Sequence, residues 1–125
     1  LGHAVLGTVE GDLHDIGKTL VGTMLTANGF DVTDIGTDAA AADFIDAAQE
    51  TGATLIGASA LLTTTMSEQQ KIIETFKEAG LREQVKIMIG GAPVTKSWAE
   101  KIGADGFAKD AITAVALAKR LVGAA

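Results

Sequence analysis

Two adjoining stretches decide the fold, Ala4-Val5-Leu6-Gly7-Thr8-Val9 and Gly11-Asp12-Leu13-His14-Asp15-Ile16-Gly17-Lys18. The first is nearly continuous in apolar residues, as expected for a strand covered on both faces. The second is a glycine-bounded loop, and a helical pattern follows from about Asp15 to Asn28. Three apolar residues of that helix are expected to face the core: Ile16, Leu20 and Leu25. Strand, loop and helix in this order predict the first βα unit of a parallel sheet.

The same alternation of strand-like and helix-like segments continues along the chain. Further strands are predicted at Phe30 to Ile35, which alternates as an edge strand does, and at Ala53 to Ala58, Val85 to Ile89 and Gly106 to Ala108. Further helices are predicted from Asp38 as N-cap to Glu50, from Ser67 as N-cap to Gly80, from Lys96 to Ile102, and from Asp110 to Leu121.

Five βα units in a chain of 125 residues predict a single α/β domain covering residues 1–125. Its expected architecture is Rossmann-like or flavodoxin-like, with a five-stranded parallel sheet and helices on both faces. Such folds bind ligands at the carboxyl ends of the strands, near the point where the strand order reverses. The loops after strands one, three and four, Gly11–Gly17, Ser59–Thr65 and Gly90–Val94, are therefore expected to gather along one rim.

Composition excludes several classes of function. The net charge of −6 argues against nucleic acid or an anionic membrane surface as the main partner, because both would repel the chain. Cysteine is absent, which excludes disulfides, thiolate metal sites and a cysteine nucleophile. No apolar run approaches the ~20 residues that a membrane-spanning helix needs. A cytoplasmic protein is expected.

His14 is one of two histidines and is flanked by Asp12 and Asp15. A neutral imidazole is a good transition-metal ligand, and a carboxylate on its other nitrogen would fix the tautomer and raise its basicity. Asp12 suits that role, whereas Asp15 is equally suited to capping the helix. A solvated loop histidine is the alternative that the motif alone leaves open. One histidine cannot build a zinc site, and His3 is expected at the opposite end of the sheet, so a metal would arrive inside a cofactor.

The other two loops are ambiguous on their own. The hydroxyls of Ser59–Thr65 would either bind a polar ligand or satisfy the loop backbone and cap the next helix. Gly90-Gly91 would either leave room for a flat group against the sheet or form a simple turn. Neither the dinucleotide fingerprint G-x-G-x-x-G nor the phosphate-binding G-x-x-x-x-G-K-[ST] is present. A receiver-type signalling module lacks its phosphoacceptor, because the third strand leads into Ala58-Ser59 with no Asp.

Taken together, the three loops resemble the cobalamin-binding domain shared by methionine synthase, the corrinoid proteins of three-component methyltransferase systems and the cobalamin-dependent mutases. That family is marked by D-x-H-x-x-G, S-x-L and G-G in three successive loops. Here they stand as Asp12 to Gly17, Ser59-Ala60-Leu61 and Gly90-Gly91. The resemblance covers essentially the whole chain, and it is greatest to the corrinoid proteins that serve methylamine, methanol or methoxyl substrates.

The resemblance implies that His14 binds cobalt as the lower axial ligand in place of the cofactor's own base, the base-off/His-on state. Asp12 would hydrogen-bond the imidazole, and Thr65 would stand where methionine synthase has a serine that completes this relay. The displaced nucleotide tail would enter the sheet along Ser59, Thr63, Gly90 and Gly91, with Ala111 at the last helix. The other expected cofactor contacts are Gly11, Leu13, Asp15, Ile16, Gly17 and Leu61.

The implied function is that of a methyl carrier that is not catalytic alone and has no catalytic residue of its own. It would move a methyl group between a substrate-specific methyltransferase and an acceptor methyltransferase. The second reading is the cobalamin domain of an adenosylcobalamin-dependent mutase, disfavoured by the hydroxyl loop and by the absence of a catalytic barrel. The helical bundle that precedes this domain in methyl-carrying relatives is expected to be absent. The methyl donor and acceptor, the oligomeric state and the corrinoid's lower base are not identified by the sequence.

Overall fold

The computed structural model describes residues 1–123, in which strands and helices alternate as predicted. The elements in chain order are β1 (Gly2–Thr8), α1 (Ile16–Ala27), β2 (Phe30–Asp34), α2 (Ala41–Thr51), β3 (Leu55–Ser59), α3 (Met66–Glu78), β4 (Lys86–Gly90), α4 (Lys96–Ile102), β5 (Gly106–Phe107) and α5 (Ala111–Leu121). A short 3₁₀ helix at Arg82–Gln84, which the sequence pattern did not predict, precedes β4.

The strands form one parallel sheet in the order β2-β1-β3-β4-β5. Helices α1 and α5 cover one face, and α2, α3 and α4 cover the other. The predicted five-stranded α/β sheet and the edge position of β2 are thus confirmed. The order reverses between β1 and β3, so the chain leaves these neighbouring strands toward opposite faces and opens a crevice at their carboxyl ends.

Both faces of the central strands are buried, which explains their nearly continuous apolar sequences. Successive side chains of a strand point to opposite faces, so each strand contributes alternately to two cores. The core under α2, α3 and α4 includes Val5, Phe44, Ile56, Ile73 and Ile87. The core under α1 and α5 includes Leu6, Leu25, Leu55, Met88 and Leu117.

Two predicted helix N-caps are wrong. The N-cap of α2 is Ala40, and Asp38 instead takes a left-handed φ of 52° and accepts a hydrogen bond from the Gly11 N–H at 2.7 Å. The N-cap of α3 is Thr65, because the chain turns into the helix two residues before Ser67. Asp38 therefore ties the loop after β2 to the loop after β1, while Ser67 lies in the first turn of α3.

The prediction that α1 buries Ile16 and Leu20 is also wrong, whereas Leu25 is buried as expected. Ile16 is 89% exposed and Leu20 is 51% exposed, while Leu25 has no exposed surface. Leu25 lies on the buried side of α1 together with Lys18, whereas Ile16 and Leu20 are roughly 140–180° round the helix from Leu25, at about 100° per residue. The first turns of the helix instead border an open cavity. Helical periodicity identifies an apolar face without showing whether that face covers a core or a cavity.

Gln69, a buried residue of α3, joins the ends of two strands. Its Nε2 donates to Ala58 O at 3.0 Å and to Gly90 O at 3.1 Å, and its Oε1 accepts from Trp98 Nε1 at 3.0 Å. The amide uses both of its N–H donors and its oxygen, so the group is satisfied although it is fully buried. Gln69 thereby sets the spacing of β3 and β4 where these strands reach the rim.

Replacing Gln69 with Leu should lower the free energy of unfolding by about 2–3 kcal/mol, because the buried Ala58 O would lose this donor and the partly buried Trp98 Nε1 would lose its acceptor. Urea denaturation followed by circular dichroism measures the change. Gln70→Leu, at the half-buried neighbouring position, is the matched control and should alter stability by less than about 0.5 kcal/mol. Equal effects of the two substitutions would contradict the assigned role.

Candidate functional site

The carboxylate of Asp12 is fully buried in the loop after β1 and accepts four hydrogen bonds. Its Oδ1 accepts from His14 N at 3.0 Å and lies 2.8 Å from His14 Nδ1. Its Oδ2 accepts from Leu61 N at 2.7 Å and from Thr65 Oγ1 at 2.8 Å. One side chain therefore fixes the histidine of the first loop and anchors the loop after β3 to it. The predicted Asp12–His14 pairing is confirmed.

These contacts hold the carboxylate in its charged form. Burial by itself would raise the pKa of Asp12, because it removes water from the anion. The hydrogen bonds from the Leu61 and His14 N–H groups, the His14 ring and the Thr65 hydroxyl outweigh burial, and the pKa of Asp12 lies well below its ordinary value. A buried carboxylate with four donors is thus an anion at neutral pH.

His14 has one ring nitrogen that Asp12 does not bind. A carboxylate only accepts hydrogen bonds, so in the neutral ring Nδ1 carries the proton and Nε2 keeps its lone pair. Nε2 has no hydrogen-bond partner within residues 1–123, 53% of the side chain is exposed, and His14 lines the cavity described below. Asp15 bonds Lys18 and Thr19 instead. The arrangement is that of an oriented, available metal ligand.

Thr65 joins the relay from the N-cap of α3. Its buried hydroxyl lies 2.8 Å from Asp12 Oδ2 and 3.0 Å from Leu62 O, so it is a donor to the carboxylate or to its own loop. Of the two readings of the hydroxyl loop, Thr65 fits the one in which a hydroxyl satisfies the loop: its side chain caps no N–H of α3 but stabilises the loop and Asp12. Binding of a polar ligand by this loop stays a prediction.

A cavity of about 870 Å³ lies beside this relay, at the carboxyl ends of the strands and on the α1 and α5 side of the sheet. The three predicted loops meet at its walls, as expected. Ten of the fourteen predicted contact residues line it: Leu13, His14, Asp15, Ile16, Gly17, Ser59, Leu61, Gly90, Gly91 and Ala111. Gly11, Asp12, Thr63 and Thr65 are outside its walls; Asp12 and Thr65 are buried behind the loops, and Thr63 is exposed.

The inner end of the cavity is lined by residues that were not singled out from the sequence, and several of them are small. Between α1 and α5 the cavity reaches Leu6, Gly57, Met88, Ala108 and Ala114. A Cβ built on Gly57 would lie 2.5 Å from Leu6 Cδ2, so a side chain there would close this space. The signal was available in Gly57-Ala58-Ser59, a run of small residues at the end of a buried strand.

Gly91 is required where the third loop approaches the second. Its φ is +127°, and a Cβ at this position would lie 1.8 Å from Ala60 O. The Ala60 N–H in turn donates to Gly90 O at 3.1 Å. The double glycine is therefore both a close backbone approach and a wall of the cavity. The room that it would leave for a flat group stays a prediction.

Lys18 is a buried cation on the cavity wall, for which the sequence pattern predicted no role. Its side chain is 3% exposed, and its Nζ pairs with Asp15 in the preceding turn and with Asp34 Oδ1 at 2.6 Å. Burial would lower the pKa of Lys18, but the two carboxylates outweigh it and raise the pKa. The ion pairs attach the first turn of α1 to the end of β2.

Within residues 1–123, no group of three or more acidic or histidine side chains is arranged to hold a metal ion. His14 is accordingly a single candidate ligand, as inferred from the sequence. The described helices include none that is long and apolar enough to cross a membrane.

Comparison with known proteins gives a consistent result. The B12 binding domain family matches residues 2–116. Dimethylamine corrinoid protein 3 of Methanosarcina acetivorans is 58% identical over 122 residues, which are 98% of this chain and 57% of that protein. The chain thus spans a little over half the length of this relative.

Two solved structures extend the comparison to the fold. The monomethylamine corrinoid protein of Methanosarcina barkeri superposes with a TM-score of 0.90 at 44% identity, over 95% of this chain and 57% of that one. The methanol:cobalamin methyltransferase complex of the same organism gives 0.91 at 30% identity, over 99% of this chain and 47% of that one.

Replacing Asp12 with Asn should lower the free energy of unfolding by about 2–4 kcal/mol at neutral pH, because an amide cannot accept all four hydrogen bonds. A carboxyl whose pKa is lowered by folding stabilises the native state above its unfolded pKa of about 4 and loses that contribution as the pH falls below it. The difference between the two proteins should therefore be constant from about pH 6 to 8 and shrink below about pH 4. Urea denaturation across this range measures it, with exposed Asp46→Asn as control; a difference independent of pH would contradict the assignment.

Replacing Gly91 with Ala should destabilise the fold by more than about 2 kcal/mol, because the new Cβ would overlap Ala60 O. Gly36→Ala is the matched control, since Gly36 also has a positive φ of +87° but no atom lies within 4 Å of where its Cβ would stand. It should cost about 1 kcal/mol, from backbone conformation alone. Thermal unfolding distinguishes steric overlap from strain, and equal losses would exclude the close approach as the reason for Gly91.

Proposed function

Because this chain belongs to the B12 binding domain family, we propose that it binds a corrinoid through His14 with the cofactor's own base displaced, and carries a methyl group between two methyltransferases. The cofactor itself, a corrinoid, follows from family membership. We propose in addition the base-off/His-on state, the roles of the individual site residues and the two methyltransferase partners.

One observation carries the proposal. His14 has its Nδ1 on a buried carboxylate and its Nε2 without a partner in residues 1–123, and it lines an apolar cavity large enough for part of a cofactor. A solvated loop histidine, the alternative left open by the sequence, gains nothing from a carboxylate that is held by four donors. An oriented imidazole beside a cavity suits a metal ion that brings its remaining ligands with it.

The residues of the chain would tune and orient the ligand. Asp12 keeps the proton on Nδ1 and leaves the Nε2 lone pair free. Thr65 and the Leu61 N–H hold the carboxylate itself in place. Protonation of the Asp12–His14 pair would weaken the hold of Nε2 on the metal, and deprotonation would strengthen it. When bound, the corrinoid cobalt supplies the atom that accepts and releases the methyl group.

The displaced nucleotide tail of such a cofactor would occupy the cavity. The cavity is lined mainly by apolar and small residues, and a side chain on Gly57 would narrow its inner end. Ser59, Gly90, Gly91 and Ala111 stand along its walls, as the resemblance implied. Gly11, Leu13, Asp15, Ile16, Gly17 and Leu61 are the further proposed contacts. Thr63 lies outside the cavity, and its contact with the cofactor stays a prediction.

The proposed partners are a substrate-specific methyltransferase and an acceptor methyltransferase. The relatives support this, since one is a dimethylamine corrinoid protein and another is part of a methanol:cobalamin methyltransferase complex. Their kinship favours methyl transfer over the mutase reading. The methyl carrier would not be catalytic alone. A cytoplasmic location belongs to the proposal as well.

Reconstitution with hydroxocobalamin should give a protein whose absorption spectrum is that of cobalt with a histidine in place of the cofactor's base. His14→Ala should abolish this spectrum and weaken binding by about 10- to 100-fold, the range typical of changes around a metal site. The measurement is a titration monitored by absorption in the visible region.

His3→Ala is the matched control, because His3 is the other histidine of the chain and its Nε2 lies 2.6 Å from Thr33 Oγ1 in the sheet. It should leave the corrinoid spectrum unchanged. An unaltered spectrum in His14→Ala, or failure of the wild-type protein to retain any corrinoid, would refute the proposed ligand.

A further inference from the structure

The backbone carbonyl of His14 is held by a second residue that lies outside the three loop motifs. Thr8, the last residue of β1, is fully buried, and its Oγ1 donates to His14 O at 2.8 Å. Within residues 1–123, the Thr8 hydroxyl is the only group that donates a hydrogen bond to His14 O. The hydrogen bonds of α1 begin one residue after His14, where Thr19 N donates to Asp15 O.

Thr8 is itself firmly placed. Its N–H donates to Gly36 O and its carbonyl accepts from Ala39 N, both at 2.9 Å, and it pairs with Ser59 of β3. The Thr8 hydroxyl therefore attaches the loop at His14 to the end of β1. This hydrogen bond joins the two ends of the segment from Thr8 to His14.

Asp12 and Thr8 restrain different parts of His14. Asp12 binds the backbone N–H and the ring Nδ1, and Thr8 binds the carbonyl. A hydrogen bond at Nδ1 alone would let the residue rotate about that contact and swing Nε2 along an arc. With the carbonyl also fixed to β1, the peptide plane and the ring are restrained together, and Nε2 is left in one direction.

We infer that Thr8 is a positioning residue for the metal ligand: its hydroxyl sets the direction of His14 Nε2 through the backbone, independently of the Asp12 relay. The inference rests on the proposed function, because it concerns how His14 reaches the cobalt. It assigns a role to a buried polar side chain that does not line the cavity.

Thr8→Val keeps the volume and shape of the side chain and removes only the donor. In the full chain reconstituted with hydroxocobalamin, it should lower the fraction of bound corrinoid with histidine on the cobalt, and weaken binding by about tenfold, as the loss of one satisfied hydrogen bond allows. Thr8→Ser keeps the donor and should restore the wild-type fraction. The fraction is read from the visible absorption spectrum at saturating cofactor.

The spectrum distinguishes positioning from general loosening of the fold. A merely destabilised protein would bind less corrinoid in total but in the wild-type ratio of forms. Thr51→Val is the matched control, since Thr51 Oγ1 also donates to a carbonyl, Ala47 O at 2.8 Å, but at the end of α2. It should leave the ratio unchanged. Should Thr8→Val not fold, Thr8→Cys, with a weaker donor of similar size, should give an intermediate fraction.

The outcomes separate the inference from the function on which it rests. If the wild-type protein shows histidine on cobalt and Thr8→Val, or Thr8→Cys where it is used, shows the same fraction, the inference fails and the proposed function stands. If Thr8→Ser does not restore the fraction, the hydroxyl is not the cause and the inference again fails. If the wild-type protein binds corrinoid without histidine on the cobalt, the proposed function fails and the inference with it.

Discussion

The buried carboxylate of Asp12 is the constraint on which the rest of the site depends. Removing an anion from water costs several kcal/mol unless its oxygens are hydrogen-bonded, and Asp12 meets this requirement with donors from two loops. The loops after β1 and β3 must therefore take the conformations that aim Leu61 N and Thr65 Oγ1 at the same group. The orientation of His14 follows from that requirement, since its N–H and ring supply the other two donors.

The sheet face beneath α1 and α5 is incompletely packed, and the unfilled space is the cavity. Gly57 stands in the same row of the sheet as Leu6 and Met88, where a larger residue would fill the space. The apolar residues Leu13, Ile16 and Leu20 consequently border the opening with much of their surface exposed. Such a surface is unfavourable in water by itself and becomes favourable when a mostly apolar group covers it.

Much of this could be predicted from local sequence, and the parts that could not depend on distant partners. The order of strands and helices, the rim of three loops and the pairing of Asp12 with His14 follow from periodicity and spacing. Ile16 and Leu20 were assigned to the core because they are apolar, although they do not share the buried side of α1 with Leu25. Thr8, Gln69 and Lys18 were missed because each acts through a hydrogen bond or ion pair to a residue that only the folded chain brings near. Gly91 was singled out because it lacks a side chain. Its close approach to Ala60 could not be predicted, because Ala60 lies in another loop.

The separation in sequence of the groups around Asp12 also determines when the site can form. Its bonds to Leu61 and Thr65 span 49 and 53 residues, and between them the chain must complete α1, β2, α2 and β3. Closing so long a segment costs entropy before any contact repays it, and parallel pairing of β1 with β3 has to come first. His14 therefore acquires its orientation only once the chain as far as Thr65 has been synthesised and folded, and the ligand is not preformed in the isolated loop after β1.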